Sequence, residues 1–102
     1  MTRLITALVK RDDLSHEAFV DHWMNEHVPI ARRLPGLQRY STVVADDPEE
    51  SEYDGVAILD FESTDALEAA FDSEPGEMAV DDLDNFVGDL TRTVGEETVH
   101  VE

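Results

Sequence analysis

The chain has 102 residues and no cysteine, so we expect one small domain over residues 1–102, without disulfides or thiolate metal sites. Its 25 acidic and 7 basic residues give a formal net charge of −18, which excludes nucleic acid and anionic membranes as partners. Because salt must screen this self-repulsion, and no apolar run approaches the roughly 20 residues that cross a bilayer, the composition predicts a halophilic cytoplasmic protein. The alternative is that the surface acids only aid solubility.

The N-terminal segment predicts a strand followed by a helix. Residues Thr2–Lys10 alternate imperfectly and place apolar side chains on both faces, so both faces of this strand should be covered. Ser15 is a suitable N-cap, and a helix is expected to begin at Ser15 or His16 and to end near Leu34.

An apolar stripe runs along this predicted helix and includes one imidazole. At about 100° per residue the stripe consists of Phe19, Trp23, His27 and Ile30. Pro29 has no backbone N–H and crowds the preceding turn, so the helix should kink or loosen near His27. The chemistry is therefore expected beside a break in the helix.

The remaining chain predicts three strands and a second helix. Leu37–Val44 is read as the second strand, and Gly55–Phe61 as the third and central strand because both its faces are largely apolar. Ser63 should cap the second helix, which Pro75-Gly76 interrupts. A short helical piece through Met78, Leu83, Phe86 and Val87 then precedes a last strand within Thr91–Glu102.

This order of elements predicts an α+β fold of the ferredoxin-like βαββαβ type, with a four-stranded antiparallel sheet. Helices cover only one face of such a sheet. Because the first and third strands are apolar on the second face as well, that face should be buried against another copy of the chain. The predicted partner is therefore a second copy, in a homodimer.

The motifs of the first helix and second strand resemble those of the EthD family of small dimeric α+β barrel proteins. The matching elements are Phe19, Trp23, His27-Val28-Pro29, Leu34-Pro35-Gly36-Leu37 and Tyr40. The later run GVAILDFESTDALEAAFDSEPG is similar to the second half of the family. The resemblance implies a dimeric α/β-barrel and a role in degradation of organic compounds, ethyl tert-butyl ether among them.

His27 and Tyr40 are the candidate catalytic residues. A histidine with a pKa of about 6.5 can give or take a proton at neutral pH, although His27 could instead cap the loosened helix around Pro29. The hydroxyl of Tyr40 could hold a substrate oxygen or satisfy a backbone carbonyl. The candidate substrate-binding residues are Phe19, Trp23, Ile30 and Asp60, of which Asp60 would orient the imidazole if it lies near His27.

No metal or nucleotide cofactor is expected. His22 and His27 are five residues apart, about 140° around an α-helix, so one helix should not turn both onto one metal ion. His22 and Glu26 could form only a weak chelate, and there is no phosphate-binding loop or dinucleotide fingerprint.

Three functions remain open. The first is a cofactor-free enzyme, an isomerase, lyase or oxygenase, that moves protons on a small cyclic or aromatic carbonyl compound. The second is a binding or accessory protein for a hydrophobic metabolite, without turnover. The third follows from the resemblance alone, because similar barrels include enzymes that bind haem.

Overall fold

A computed structural model describes the protein from Met1 to Glu102, and it has the predicted ferredoxin-like architecture. Four strands form one antiparallel sheet in the order β2-β3-β1-β4. The strands are β1 (Thr2–Lys10), β2 (Arg39–Val44), β3 (Gly55–Phe61) and β4 (Val87–Gly95). The third strand is central, as predicted, and pairs with β1 and β2.

Helical segments pack on one face of this sheet. They are α1 (His16–His22), a π-helical turn (Trp23–His27), α2 (Val28–Ala31), α3 (Thr64–Asp72) and α4 (Glu74–Leu83). Both predicted N-caps are confirmed, because the hydroxyls of Ser15 and Ser63 accept hydrogen bonds from the backbone N–H groups of Ala18 and Ala66. None of the helices has the length and apolar character needed to cross a bilayer.

The loosening predicted near His27 takes the form of the π-helical turn between α1 and α2. The N–H of Val28 reaches back five residues to the carbonyl of Trp23, instead of the four residues of an α-helix. Pro29 has no N–H and its ring crowds the carbonyl of Asn25, so a regular helix would be strained here. The wider turn accommodates the proline while the chain remains helical.

The C-terminal third differs from the prediction in its boundaries. The interruption predicted at Pro75-Gly76 falls slightly earlier, at Ser73 between α3 and α4. Pro75 lies in the first turn of α4, where its missing N–H costs no hydrogen bond. Strand β4 begins at Val87, a residue that the sequence pattern places in a helical piece, and ends at Gly95. Gly95 pairs with Arg3 at the start of β1, so residues 96–102 have no strand left to pair with.

The core lies between the helices and the inner face of the sheet. Its largest fully buried apolar side chains are Trp23, Phe19, Phe61 and Phe86. The outer face of the sheet carries no helix, and Ile5 and Val43 on it are 39% and 56% exposed. The single chain therefore leaves an apolar sheet surface open.

Candidate functional site

A small apolar cavity lies between the helices and the inner face of the sheet. Its volume is about 70 Å³, and twelve of its fourteen lining residues are hydrophobic. Trp23, His27, Tyr40 and Thr6 are the lining residues that carry polar atoms. An apolar cavity of about 150 Å³ takes up benzene. A ring would therefore enter this cavity only if its walls moved.

His27 is held in the cavity wall by an acidic residue of α4. Its Nδ1 lies 2.8 Å from Oδ2 of Asp82. An ionised carboxylate can only accept hydrogen bonds, so Nδ1 must carry the proton of the neutral imidazole. Nε2 makes no hydrogen bond with another protein atom and is the ring nitrogen left for a molecule in the cavity. The pair thus presents an oriented base.

Asp82 also accepts hydrogen bonds from two other side chains. Nε2 of His22 lies 3.0 Å from Oδ1, and Nδ2 of Asn85 lies 3.0 Å from the same oxygen. The buried ring of Phe86 lies against both imidazoles, with centroids 4.9 Å from His22 and 5.0 Å from His27. The carboxylate is therefore surrounded by three donors and fixed in place.

The expectation that His22 and His27 face different directions is wrong for this chain. The separation of about 140° assumed an α-helix, whereas the residues between them form the π-helical turn. A π-helix has more residues per turn, so side chains five apart come to the same face. Both imidazoles consequently reach Asp82.

The protonation states of this pair suit a general base at neutral pH. Burial lowers the pKa of His27 below 6.5, and this outweighs the opposite effect of Asp82. Burial alone would raise the pKa of Asp82, but the hydrogen bonds from Asn85, His27 and His22 bring it below 3.8. At pH 7 the structure therefore holds a neutral imidazole beside an ionised carboxylate.

Tyr40 and Trp23 lie together in the cavity wall, as the sequence pattern suggested. Burial raises the pKa of the Tyr40 hydroxyl above 10, and a weak interaction with the indole N–H of Trp23, short of a regular hydrogen bond, partly offsets that rise. The indole Nε1 is buried and makes no hydrogen bond with any protein atom. An unsatisfied buried donor costs about 1–3 kcal/mol, so its retention calls for an explanation.

Three of the four predicted substrate contacts lie outside the cavity wall, and two of them belong to the apolar stripe of the first helix. Phe19 is fully buried but packs in the core, 5.5 Å from the ring centroids of Trp23 and Phe86. Ile30 is partly exposed, and Ala31 lines the cavity in its place. The stripe was drawn with α-helical spacing, and the wider π-helical turn moves the inward position one residue further along the chain.

Asp60 is not near His27, so the role in orienting the imidazole falls to Asp82. Asp60 belongs to the outer face of the sheet, where its carboxylate receives hydrogen bonds of 2.7 and 2.9 Å from the guanidinium of Arg3. The hydrogen bonds from Arg3 keep the pKa of Asp60 below 3.8. Asp60 is the outward-facing residue of β3 because it lies between Leu59 and Phe61, which point to the core.

Asp82 was not predicted from the sequence, although a signal was present. It lies three residues after Ala79 and four before Phe86, which is the spacing of one helical face. Ala79 and Phe86 are both buried, so an acid at this position points toward the core. An acidic residue within an apolar helical stripe is therefore the pattern to look for.

The arrangement also bears on metal and haem binding. No group of three or more His, Cys, Asp or Glu side chains in the chain is arranged to hold a metal ion. The cavity of about 70 Å³ is about half the size of an apolar cavity that takes up benzene, so a macrocycle such as haem would fit only after large movements of its walls.

Comparisons with known proteins agree with this architecture. The family model described as the EthD domain matches residues 11–89. An EthD family protein from Bacillus halodurans is 27% identical, with a TM-score of 0.81 over 96% of this chain and 100% of that chain. No curated protein gives a significant match.

More distant structures share the fold alone. A dimeric ferredoxin-like protein of unknown function from Thermobifida fusca is 16% identical, with a TM-score of 0.77 over 92% of this chain and 88% of that chain. SnoaB from Streptomyces nogalater, a cofactor-independent oxygenase, is 12% identical, with a TM-score of 0.74 over 98% of this chain and 95% of that chain.

Proposed function

Since this chain belongs to the EthD family, we propose that it is a cofactor-free enzyme that transfers a proton on a small apolar carbonyl compound. The observation that carries this proposal is His27, a neutral imidazole oriented by Asp82 in the wall of an apolar cavity. The description of SnoaB as a cofactor-independent oxygenase supports chemistry without a cofactor in this fold. Isomerase, lyase and oxygenase reactions of such compounds can each begin with this proton transfer.

The proposed step is proton removal from the carbon next to the carbonyl group. Nε2 of His27 takes the proton, and the electrons of the broken C–H bond move to form an enolate with its negative charge on oxygen. The imidazolium is stabilised by the ionised carboxylate of Asp82 at 2.8 Å. Return of the proton to the same carbon restores the ketone. In an unsaturated ketone the enolate is conjugated with a C=C bond, and return of the proton to the far end of that system gives an isomer.

Hydrogen–deuterium exchange into a small ketone tests this proposal directly. The protein is incubated with cyclopentanone in D₂O, and loss of the α-proton signal is followed by ¹H NMR. We expect exchange faster than in buffer with the same concentration of free imidazole. Exchange at the buffer rate, across a panel of cyclic and open-chain ketones, would reject proton transfer as the function.

The size of the cavity favours a second candidate function. At about 70 Å³ it is about half the size of an apolar cavity that takes up benzene, so a small ring enters only as the walls adjust, which suits a protein that binds a small hydrophobic molecule without turnover. Thermal-shift measurements separate the two functions, because a bound molecule raises the apparent stability whether or not it reacts. Stabilisation by cyclopentanone without any exchange would favour the binding protein.

Replacement of Asp82 by Asn should change both the rate and its pH dependence. The charge and hydrogen bond of Asp82 raise the pKa of His27 against the larger lowering by burial. In the wild type, kcat/KM should decline on the acidic side below pH 6.5, as His27 becomes protonated. In the variant the pKa of His27 should fall further, so this decline should move to lower pH. The plateau rate should fall by about tenfold to a hundredfold because the ring loses its fixed tautomer.

The neighbouring Asp81 provides the control for this experiment. Asp81 is exposed and makes no side-chain hydrogen bond, so Asp81→Asn changes the same charge on the same helix. Its profile should overlay that of the wild type. An identical acidic limb in Asp82→Asn and in the wild type would remove Asp82 from the proposed base.

We further propose that two copies of the chain pack their open sheet faces together. The apolar residues of that face include Ile5, Ile58 and Val43, and none of them is covered by a helix. Related proteins with this fold are described as dimeric. A face of this kind is covered in a stable protein, and a second copy supplies the matching surface.

The substitution Val43→Glu should convert this dimer into a monomer. Val43 is 56% exposed on the open face, and a buried carboxylate without a partner is strongly unfavourable there. The control is Val99→Glu, since Val99 is 58% exposed in the segment after β4. Size-exclusion chromatography with light scattering should give half the mass for the first variant only. Equal dimer masses for both variants would contradict the interface.

A further inference from the structure

Trp23 carries the one buried side-chain nitrogen or oxygen of the chain that has no hydrogen-bond partner. The residue is fully buried, so bulk water does not satisfy its indole N–H. Nearly all buried polar groups in native proteins are paired, and an exception in a cavity wall indicates a partner that binds there.

The indole ring is fixed in a way that turns this nitrogen toward the polar part of the cavity wall. A Cβ atom at Gly55 would lie 2.3 Å from Cζ3 and 2.6 Å from Cη2 of Trp23, so the six-membered ring packs against the backbone of β3. Nε1 belongs to the five-membered ring, on the far side from this contact. There the indole N–H faces the hydroxyl of Tyr40 and lowers its pKa, although the two groups do not reach the geometry of a regular hydrogen bond.

We infer that the Trp23 N–H and the Tyr40 hydroxyl together donate hydrogen bonds to one oxygen of the bound molecule, which is a neutral ketone, aldehyde or enol. This inference rests on the proposed function, because it names the class of compound for the same cavity. Both residues line the cavity beside His27, and both can act as donors. Trp23 is thereby a substrate-binding residue through its N–H and not only through its ring.

The two donors would also contribute to the proton transfer. When His27 removes a proton from the neighbouring carbon, negative charge develops on the substrate oxygen. Donors already aimed at that oxygen stabilise the charge without reorganisation, and they act more strongly in an apolar cavity than in water. The indole N–H and the Tyr40 hydroxyl would therefore form the electrophilic half of the site.

The charges of the chain favour a neutral ligand in the cavity. No Lys or Arg lines the cavity, so a carboxylate would be buried there without a counter-ion. The net charge of −18 further disfavours the approach of anions. Carboxylic acids of the same size should therefore bind far more weakly than ketones at neutral pH.

The indole N–H can be observed on its own, because Trp23 is the only tryptophan. In a ¹H–¹⁵N correlation spectrum of the wild-type protein it gives one side-chain resonance. Cyclopentanone should shift this resonance downfield as the N–H gains an acceptor. Methylenecyclopentane, which has a CH₂ group in place of the oxygen, should perturb the cavity methyl groups and leave the indole N–H nearly unchanged.

Three results would overturn the inference. The first is a perturbation of cavity methyl groups by cyclopentanone without movement of the indole resonance. The second is the absence of any perturbation up to the solubility limit of the ketone. The third is a shift of the ligand-free indole resonance in Tyr40→Phe as large as the ketone produces, which would make Tyr40 the acceptor in place of a ligand.

The substitution Trp23→Phe provides a second, quantitative test. It keeps an aromatic ring in the wall and removes the N–H. The affinity for cyclopentanone should fall by about tenfold, the equivalent of one hydrogen bond, while that for methylenecyclopentane stays within about twofold. Equal losses for both compounds would show a packing effect only. If the variant does not fold, the wild-type spectrum still decides the question.

These outcomes are distinct from failure of the proposed function. The spectrum reports binding and does not depend on turnover. A shifted indole resonance without deuterium exchange would support the hydrogen bond and reject proton transfer. Exchange that depends on His27, with an unmoved indole resonance, would support proton transfer and reject the hydrogen bond.

Discussion

Replacement of His27 by Gln is expected to lower the rate of deuterium exchange into cyclopentanone by about 10²–10⁴-fold, the contribution typical of a positioned acid or base. Gln keeps a polar side chain of similar reach but cannot take up the proton. KM should change much less than kcat, because the imidazole acts in the transition state and not mainly in binding. The measurement is a comparison of kcat and KM at pH 7.

His16→Gln is the matched control for this variant. His16 lies in α1 and its Nδ1 is 3.4 Å from Asp54, outside the cavity. Its exchange rate should equal that of the wild type. Full activity of His27→Gln would leave the cavity as a binding site and assign the exchange to another group.

Replacement of Gly55 by Ala is expected to destabilise the fold by about 1–3 kcal/mol through overpacking against Trp23. The new Cβ atom would lie 2.3 Å from Cζ3 of the indole and 3.0 Å from the carbonyl oxygen of Val43. The ring cannot retreat easily because it is fully buried. The free energy of unfolding should be measured by denaturant titration, with the near-UV circular dichroism of the single tryptophan.

Gly95→Ala is the control for this substitution. Gly95 lies at the end of β4, as Gly55 lies at the start of β3, and both are paired with β1. A Cβ atom at Gly95 would meet nothing within 4 Å. The free energy of unfolding should change by less than about 0.5 kcal/mol. Equal stabilities of the two variants would mean that the indole moves aside, and the altered Trp23 position would then appear as a loss of ketone affinity.

The fold could be predicted from the sequence because local signals and burial agree along most of the chain. Ser15 and Ser63 cap helices as their hydroxyls predict, and Gly55–Phe61 is central because both of its faces are apolar. Boundaries were less predictable. The true end of β4 depends on where β1 begins, which is a property of strand pairing and not of the residues near Gly95.

The candidate site was predicted only in part, for a physical reason that concerns helix geometry. His27, Trp23 and Tyr40 lie in the cavity wall as expected. Phe19, Ile30 and Asp60 do not. Phe19 packs deeper in the core, Ile30 was placed by regular α-helical spacing, and the position of Asp60 depended on which face of β3 points inward. A π-helical turn results from the balance between Pro29 and the packing around it, which spacing rules do not capture.

The π-helical turn makes chain length, and not only residue identity, a determinant of the site. On a regular α-helix, side chains five residues apart differ by about 140°, so straightening the helix at the same chain length would turn one imidazole away from the shared carboxylate. Loss of one residue between His22 and His27 would leave them four apart, about 40° on an α-helix, and would keep both directed at Asp82. In an alignment of relatives, chains with a regular α-helix in this segment should therefore have one residue fewer between the two imidazoles.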